Sequence, residues 1–145
     1  MSTSAFGPSS PQGRLSRLEF KLATADLGNG VSTVSVAGEV DLATAPELKE
    51  ALTEVVNDGA RGVLVDLSNA TFIDSTTLGV LMGAVKRLRP TGGELAIACN
   101  DPNIRKIFEI TLLDRVFEIF DTPGAGVEHL QGVGAAAASD LSSRG

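Results

Sequence analysis

The sequence predicts an α/β fold: a single domain with a small mixed β-sheet and helices packed against it. Three observations carry that expectation. Strand-like and helix-like hydrophobic periods alternate along the chain. A glycine-rich turn joins two strand-like segments near the start, so a hairpin precedes the first helix. The apolar content, 43% of 145 residues against 21% charged, is enough for one buried core without disulfides or metal.

Residues 1–16 (MSTSAFGPSSPQGRLS) lack apolar periodicity and read as a flexible tail. Residues 18–27 form a strand candidate, and Gly28-Asn29-Gly30 is a tight-turn signal. Residues 31–40 follow as a second strand with alternating valines. Thr44-Ala45-Pro46-Glu47 reads as a capping box, with Thr44 as N-cap and Pro46 in the first turn. The helix it opens has Ala45, Leu48, Leu52, Val55 and Val56 on one face and stops at Gly59.

Residues 62–67 (GVLVDL) are a nearly continuous apolar run that suits a central strand. A brief loop, 68–72, leads to Ile73-Asp74-Ser75. A second helix then runs to about residue 89, with Leu78, Leu81, Met82, Val85 and Leu88 on its apolar face and Pro90-Thr91-Gly92-Gly93 as its stop. Residues 94–99 (ELAIAC) are another apolar strand. Asp101-Pro102 places an N-cap before proline at the first helical position, and Ile104, Ile107 and Phe108 follow at helical spacing. Residues 115–120 alternate like a strand, 123–130 read as a weak final helix, and 131–145 read as a second tail. The folded part is therefore 17–130, without internal repeats. Its order is β-β-α-β-α-β-α-β-α, and right-handed crossovers then give a mixed sheet carrying helices.

Composition excludes several function classes. Twelve basic against 18 acidic residues give a net charge of −6, which argues against direct nucleic-acid binding. Six Phe with no Trp or Tyr leave few stacking platforms for single strands. The single Cys99 rules out an internal disulfide and a multi-thiolate zinc site, and the single His129 makes a histidine-based centre hard to build. Cys99 reads as a small buried hydrophobe and His129 as a solvated surface histidine. No run approaches the roughly 20 apolar residues of a membrane span, and no secretory signal is evident. Phosphate-loop, zinc-protease and nucleophile-elbow motifs are absent. Gly132-Val133-Gly134 is a dinucleotide-pattern fragment without a strand before it. The expectation is a cytoplasmic, non-enzymatic protein without metal, cofactor or membrane insertion.

Two clusters invite function. Glu39 and Asp41 lie two apart at a strand end and could point the same way. They flank a polar loop, so solvated carboxylates at the rim of a partner site are the better reading than acid/base catalysis. In Ile73-Asp74-Ser75-Thr76-Thr77-Leu78-Gly79, Asp74 or Ser75 can cap the helix that starts there. Three consecutive hydroxyls exceed what capping needs. A phosphate on Ser75 would sit at the positive end of the helix dipole. Thr76, Gly79 and Gly83 share a helix side at i, i+3 and i+7. Interior glycines cost about 1 kcal/mol each relative to alanine, so the strip serves close approach, either by the protein's own sheet or by a partner.

Four blocks, Gly38-Glu39-Val40-Asp41-Leu42-Ala43-Thr44, Val63-Leu64-Val65-Asp66-Leu67, Phe72-Ile73-Asp74-Ser75-Thr76-Thr77-Leu78-Gly79-Val80-Leu81 and Gly92-Gly93-Glu94-Leu95, resemble the STAS-domain family in order and spacing. The nearest group is the bacterial anti-sigma factor antagonists. The resemblance implies a small sheet with helices packed on it and a phosphoacceptor at Ser75, next to Asp74. The implied partners are a serine kinase that is itself the anti-sigma factor and a serine phosphatase that resets the switch. Glu39, Asp41, Asp74, Ser75, Thr76, Thr77, Gly79 and Gly83 are the implied partner-binding residues. The family commonly has glycine where Thr77 stands, so Thr77 is expected to narrow access to Ser75 or to offer a rival hydroxyl. Other members serve as accessory subunits of lipid-transport complexes, an alternative that would use the same helix face without phosphorylation. The intact Asp-Ser pair favours the phosphorylated antagonist.

Overall fold

The computed structural model describes residues 20–132. The tail 1–16, the start of the first strand candidate and residues 133–145, with Gly134 of the dinucleotide fragment, lie outside the described residues. In chain order the elements are β1 (Lys21–Gly28), β2 (Val31–Val40), α1 (Ala45–Asn57), β3 (Gly62–Ile73), α2 (Ser75–Leu88), β4 (Glu94–Ala98), α3 (Pro102–Ile110) and β5 (Glu118–Phe120). A further helix, α4, covers 123–132 and so runs two residues past the expected end of the folded part.

The five strands lie in the order β1-β2-β3-β4-β5. The β1–β2 pair is antiparallel and the other three pairs are parallel. The hairpin turn needs left-handed backbone, and Gly28, Asn29 and Gly30 supply it with φ of 83°, 56° and 77°. Each parallel crossover steps one strand in the same direction. With right-handed crossovers, that progression places α1, α2 and α3 on one face of the sheet. The main core lies there: Val34, Val65 and Ile97 from the strands meet Leu48 and Leu52 of α1, Leu81 and Leu88 of α2, and Ile104 and Phe108 of α3.

The opposite face is thinner. Val31, Leu64, Ala96 and Ala98 form a small second cluster under Leu130 of α4. A Cβ on Gly126 would come within 2.5 Å of Leu64 Cδ1, so glycine is what lets α4 lie this close to the sheet.

Four local expectations are corrected. Residues 68–72 are not a loop: β3 continues through them, because the long β2 offers backbone partners up to Val40↔Ile73. The turn-like polar residues sit instead at register irregularities in this pair, and Asp66 accepts a bond from the Ser68 amide at 2.9 Å. Thr44 makes no side-chain cap on α1. Its hydroxyl turns back and donates to the Glu39 carbonyl at 3.0 Å, holding the β2–α1 loop. In the 115–120 segment only Glu118–Phe120 is strand, preceded by a 3-10 turn, Leu113–Arg115. His129 is not a free surface side chain: its Nε2 lies 2.6 Å from Glu94 Oε2, with the ring tilted against Phe120.

Cys99, at the end of β4, is buried as expected of a small hydrophobe, and burial pushes its thiol pKa up.

Candidate phosphoacceptor and partner surface

The carboxyl ends of β2 and β3, the loop before α1 and the first turn of α2 meet at one end of the sheet. Asp74 is the N-cap of α2, with extended backbone, and its Oδ1 accepts from the Thr77 amide at 3.2 Å. The cap is therefore Asp74 and not Ser75. Ser75 takes the first helical position. Its side chain is exposed, and its hydroxyl has no protein partner among the described residues. An added charge there would face the unsatisfied amides of the first turn.

Thr77 departs from expectation. It is fully buried, and its hydroxyl donates to the Val40 carbonyl at 3.0 Å, with Asp74 Oδ1 farther away at 3.4 Å. The third helical position faces the sheet, on the same side as Leu81 and Leu88. Thr77 therefore does not narrow access to Ser75, offers no rival hydroxyl at the surface and presents nothing to a partner. It ties the start of α2 to the end of β2.

Glu39 and Asp41 are both half-buried, but they do not act as a pair. Asp41 Oδ1 accepts from the amides of Ala43 at 2.9 Å and Thr44 at 3.1 Å, so this carboxylate builds the loop. Glu39 stands across from Phe72 in the parallel register, and Phe72 is largely exposed.

Gly79 and Gly83 look outward. A Cβ built on either would meet nothing within 4 Å, so the strip does not face the protein's own sheet. With Thr76 and Val80 they form one wall of a groove of about 650 Å³ whose other wall is Leu42, Pro46 and Lys49. Leu42 is 74% exposed, an apolar side chain with no intramolecular reason to stand in water. The sequence reading missed Leu42, Phe72, Lys49 and Arg87. A signal for the groove existed: 46 and 49 on one helix and 76, 80, 83 and 87 on the other follow helical spacing on facing sides.

These elements bring together, on an α/β domain, a capped helix start with an exposed hydroxyl and, from the next residue Thr76 onward, a largely apolar groove. Comparison with known proteins agrees. A family model for the STAS domain matches residues 24–126. An anti-sigma-B factor antagonist of Staphylococcus aureus is 41% identical over 86 residues, 59% of this chain and 80% of that protein. The Listeria monocytogenes protein of the same name is 40% identical over 93 residues, 63% of this chain and 80% of that one. The crystal structure of an anti-sigma factor antagonist from Mycobacterium paratuberculosis superimposes with a TM-score of 0.71 at 30% identity, covering 77% of this chain and 94% of that one. The chain belongs to the STAS domain family. In the antagonist group to which these relatives belong, the domain is a non-enzymatic regulator. Among the described residues no helix is long and apolar enough to cross a membrane.

Proposed function

We propose that this protein is an anti-sigma factor antagonist switched at Ser75. Unphosphorylated, it binds an anti-sigma factor that is also a serine kinase, and the sigma factor is released. The kinase phosphorylates Ser75, the complex dissociates, and a serine phosphatase restores the binding form. The observation that carries this reading is the exposed, unpartnered Ser75 hydroxyl at the first position of α2, beside the groove. The names of the relatives at 40–41% identity support the partner class.

The physical logic is local. Phosphorylation adds a charge of about −1.5 to −2 and three acceptor oxygens. The helix dipole and the first-turn amides receive that charge, so the fold persists. A partner seated over the groove meets a phosphate next to Asp74 where it had met a neutral hydroxyl. A coupling of about 1–3 kcal/mol changes affinity by roughly 5- to 150-fold.

Binding to the purified cognate serine kinase, with intact-mass spectrometry and phosphopeptide mapping in the presence of ATP, tests the switch. Wild type gains one phosphate at Ser75. Ser75→Ala stays unlabelled and remains bound in ATP, and Ser75→Asp binds weakly while melting like wild type. Equal labelling of Ser75→Ala, or wild-type affinity in Ser75→Asp, refutes the proposal.

A further inference from the structure

We infer that the groove between α1 and α2 is electrostatically polarised and receives an amphipathic helix of the anti-sigma partner, with the acidic end of that helix over Lys49 and Arg87. The identity of the partner rests on the function proposed above; the polarity rests on this chain alone.

The groove follows α2 from Thr76 to Arg87. At 1.5 Å per residue this is about 16 Å, or three turns of a facing helix. Its middle is apolar and shallow-walled, because Gly79 and Gly83 leave the space above them open. Two helical walls with an apolar floor accept a helix laid along them more readily than an extended strand, which would need a sheet edge for its backbone groups.

Charge then sets the direction. Two charged side chains line the groove, Lys49 and Arg87, and both are cations. The chain as a whole carries −6, and α1 bears Glu47, Glu50 and Glu54, yet none of these carboxylates lines the groove. Among the described residues neither cation has a carboxylate partner. Arg87 is nevertheless held in place: its Nη2 donates to Thr53 Oγ1 on α1 at 2.9 Å, bridging the two walls at this end. A guanidinium has five N–H donors, so most remain for a ligand. Covering this pair with an apolar surface would strand two desolvated cations, whereas a carboxylate on the incoming helix would satisfy them. The opposite end, at Thr76, lies beside Ser75 and its N-cap Asp74. An acidic segment seated the other way round would approach the Asp74 carboxylate and leave the two cations unmatched. The groove therefore selects both the chemistry and the orientation of its occupant.

The test uses two helical peptides with one shared leucine stripe, bearing either glutamates or lysines at the end that meets Arg87. Amide shifts of the full-length protein are followed by NMR. The glutamate peptide is expected to bind about tenfold tighter than the lysine peptide at low salt, with shifts centred on Gly79, Gly83 and Arg87. Lys49→Glu/Arg87→Glu should reverse that preference. Lys86→Glu, which changes a neighbouring exposed cation outside the groove, should leave it within about twofold. Equal binding of the two peptides, shifts elsewhere on the surface, or peptide-independent self-association through the groove would overturn the inference. A second arm measures the cognate kinase against the same variants: the double reversal should weaken binding about tenfold or more. Kinase that fails to bind wild type refutes the proposed function, and the peptide arm still decides the polarity. Kinase that binds the double reversal as tightly as wild type refutes the polarity and leaves the proposed function standing.

Discussion

The starts of α2 and α3 use the same device for different ends. Both follow a parallel strand, and both are capped by an aspartate in extended conformation. Asp74 Oδ1 accepts from the Thr77 amide at 3.2 Å, and Asp101 Oδ1 from the Asn103 amide at 2.8 Å. The difference lies one residue further on. At α3 the first helical position is Pro102, which fixes the backbone and offers no chemistry. At α2 it is Ser75, which fixes nothing and leaves a hydroxyl in water at the mouth of a groove. Capping explains the aspartates at both starts. It does not explain the serine, and that surplus is what the proposed switch uses.

The largest effect expected from breaking this contrast comes from making α2 start like α3. Asp74 is extended, as a residue before proline must be, so Ser75→Pro is compatible with the backbone. It should abolish kinase labelling entirely while the protein melts within a few degrees of wild type. Residual labelling at Thr76 would show that the acceptor is the cluster and not the one residue. Next in size is Thr77→Val, which keeps the shape and leaves the buried Val40 carbonyl without its donor. A loss of about 1–3 kcal/mol in urea unfolding is expected. A neutral result would mean that the hydroxyl does not tie α2 to β2.

Removing the caps should cost about 1 kcal/mol each in Asp74→Ala and Asp101→Ala. The two variants separate in binding: Asp74→Ala should change kinase affinity, whereas Asp101→Ala should not. Parallel changes in both would erase the functional distinction between the two starts. The smallest effect belongs to Pro102→Ser, which gives α3 the same Asp-Ser pair. Stability should move by no more than about 0.5 kcal/mol, with no phosphate gained at residue 102. Labelling there would mean that a capped serine suffices and the groove contributes nothing.

Much of this was legible in the chain. The element order, the turn at Gly28–Gly30 and the Asp101 cap follow from local residue chemistry, which tertiary packing leaves intact; the α2 cap was left open between Asp74 and Ser75, because either side chain can reach a first-turn amide. The misreadings share a cause. Ser68 and Asn69 resemble a turn, but β2 is long enough to pair with them, and a neighbouring strand is invisible to a local pattern. Thr77 looks like the third member of a surface hydroxyl run, yet its register with Leu81 and Leu88 turns it inward. Thr44 fits a capping box, but its Oγ1 accepts from the Asp41 amide at 2.9 Å while its hydroxyl donates to the Glu39 carbonyl, so the side chain is engaged behind the helix. The outward direction of Gly79 and Gly83 was left open by the sequence, because a glycine strip serves either side of a helix equally well. Leu42 was overlooked because a lone apolar residue in a loop has no period.

The bond from Thr77 to Val40 joins residues 37 apart in sequence. Ser75 thus acquires its setting only after β2, β3 and the first turn of α2 have assembled together. A short peptide spanning Ser75 carries the acceptor without its surroundings. On the proposed function, an enzyme that reads the groove along with the serine would modify folded chains and pass over unfolded ones, and the contact that anchors the helix would make the mark depend on completed folding.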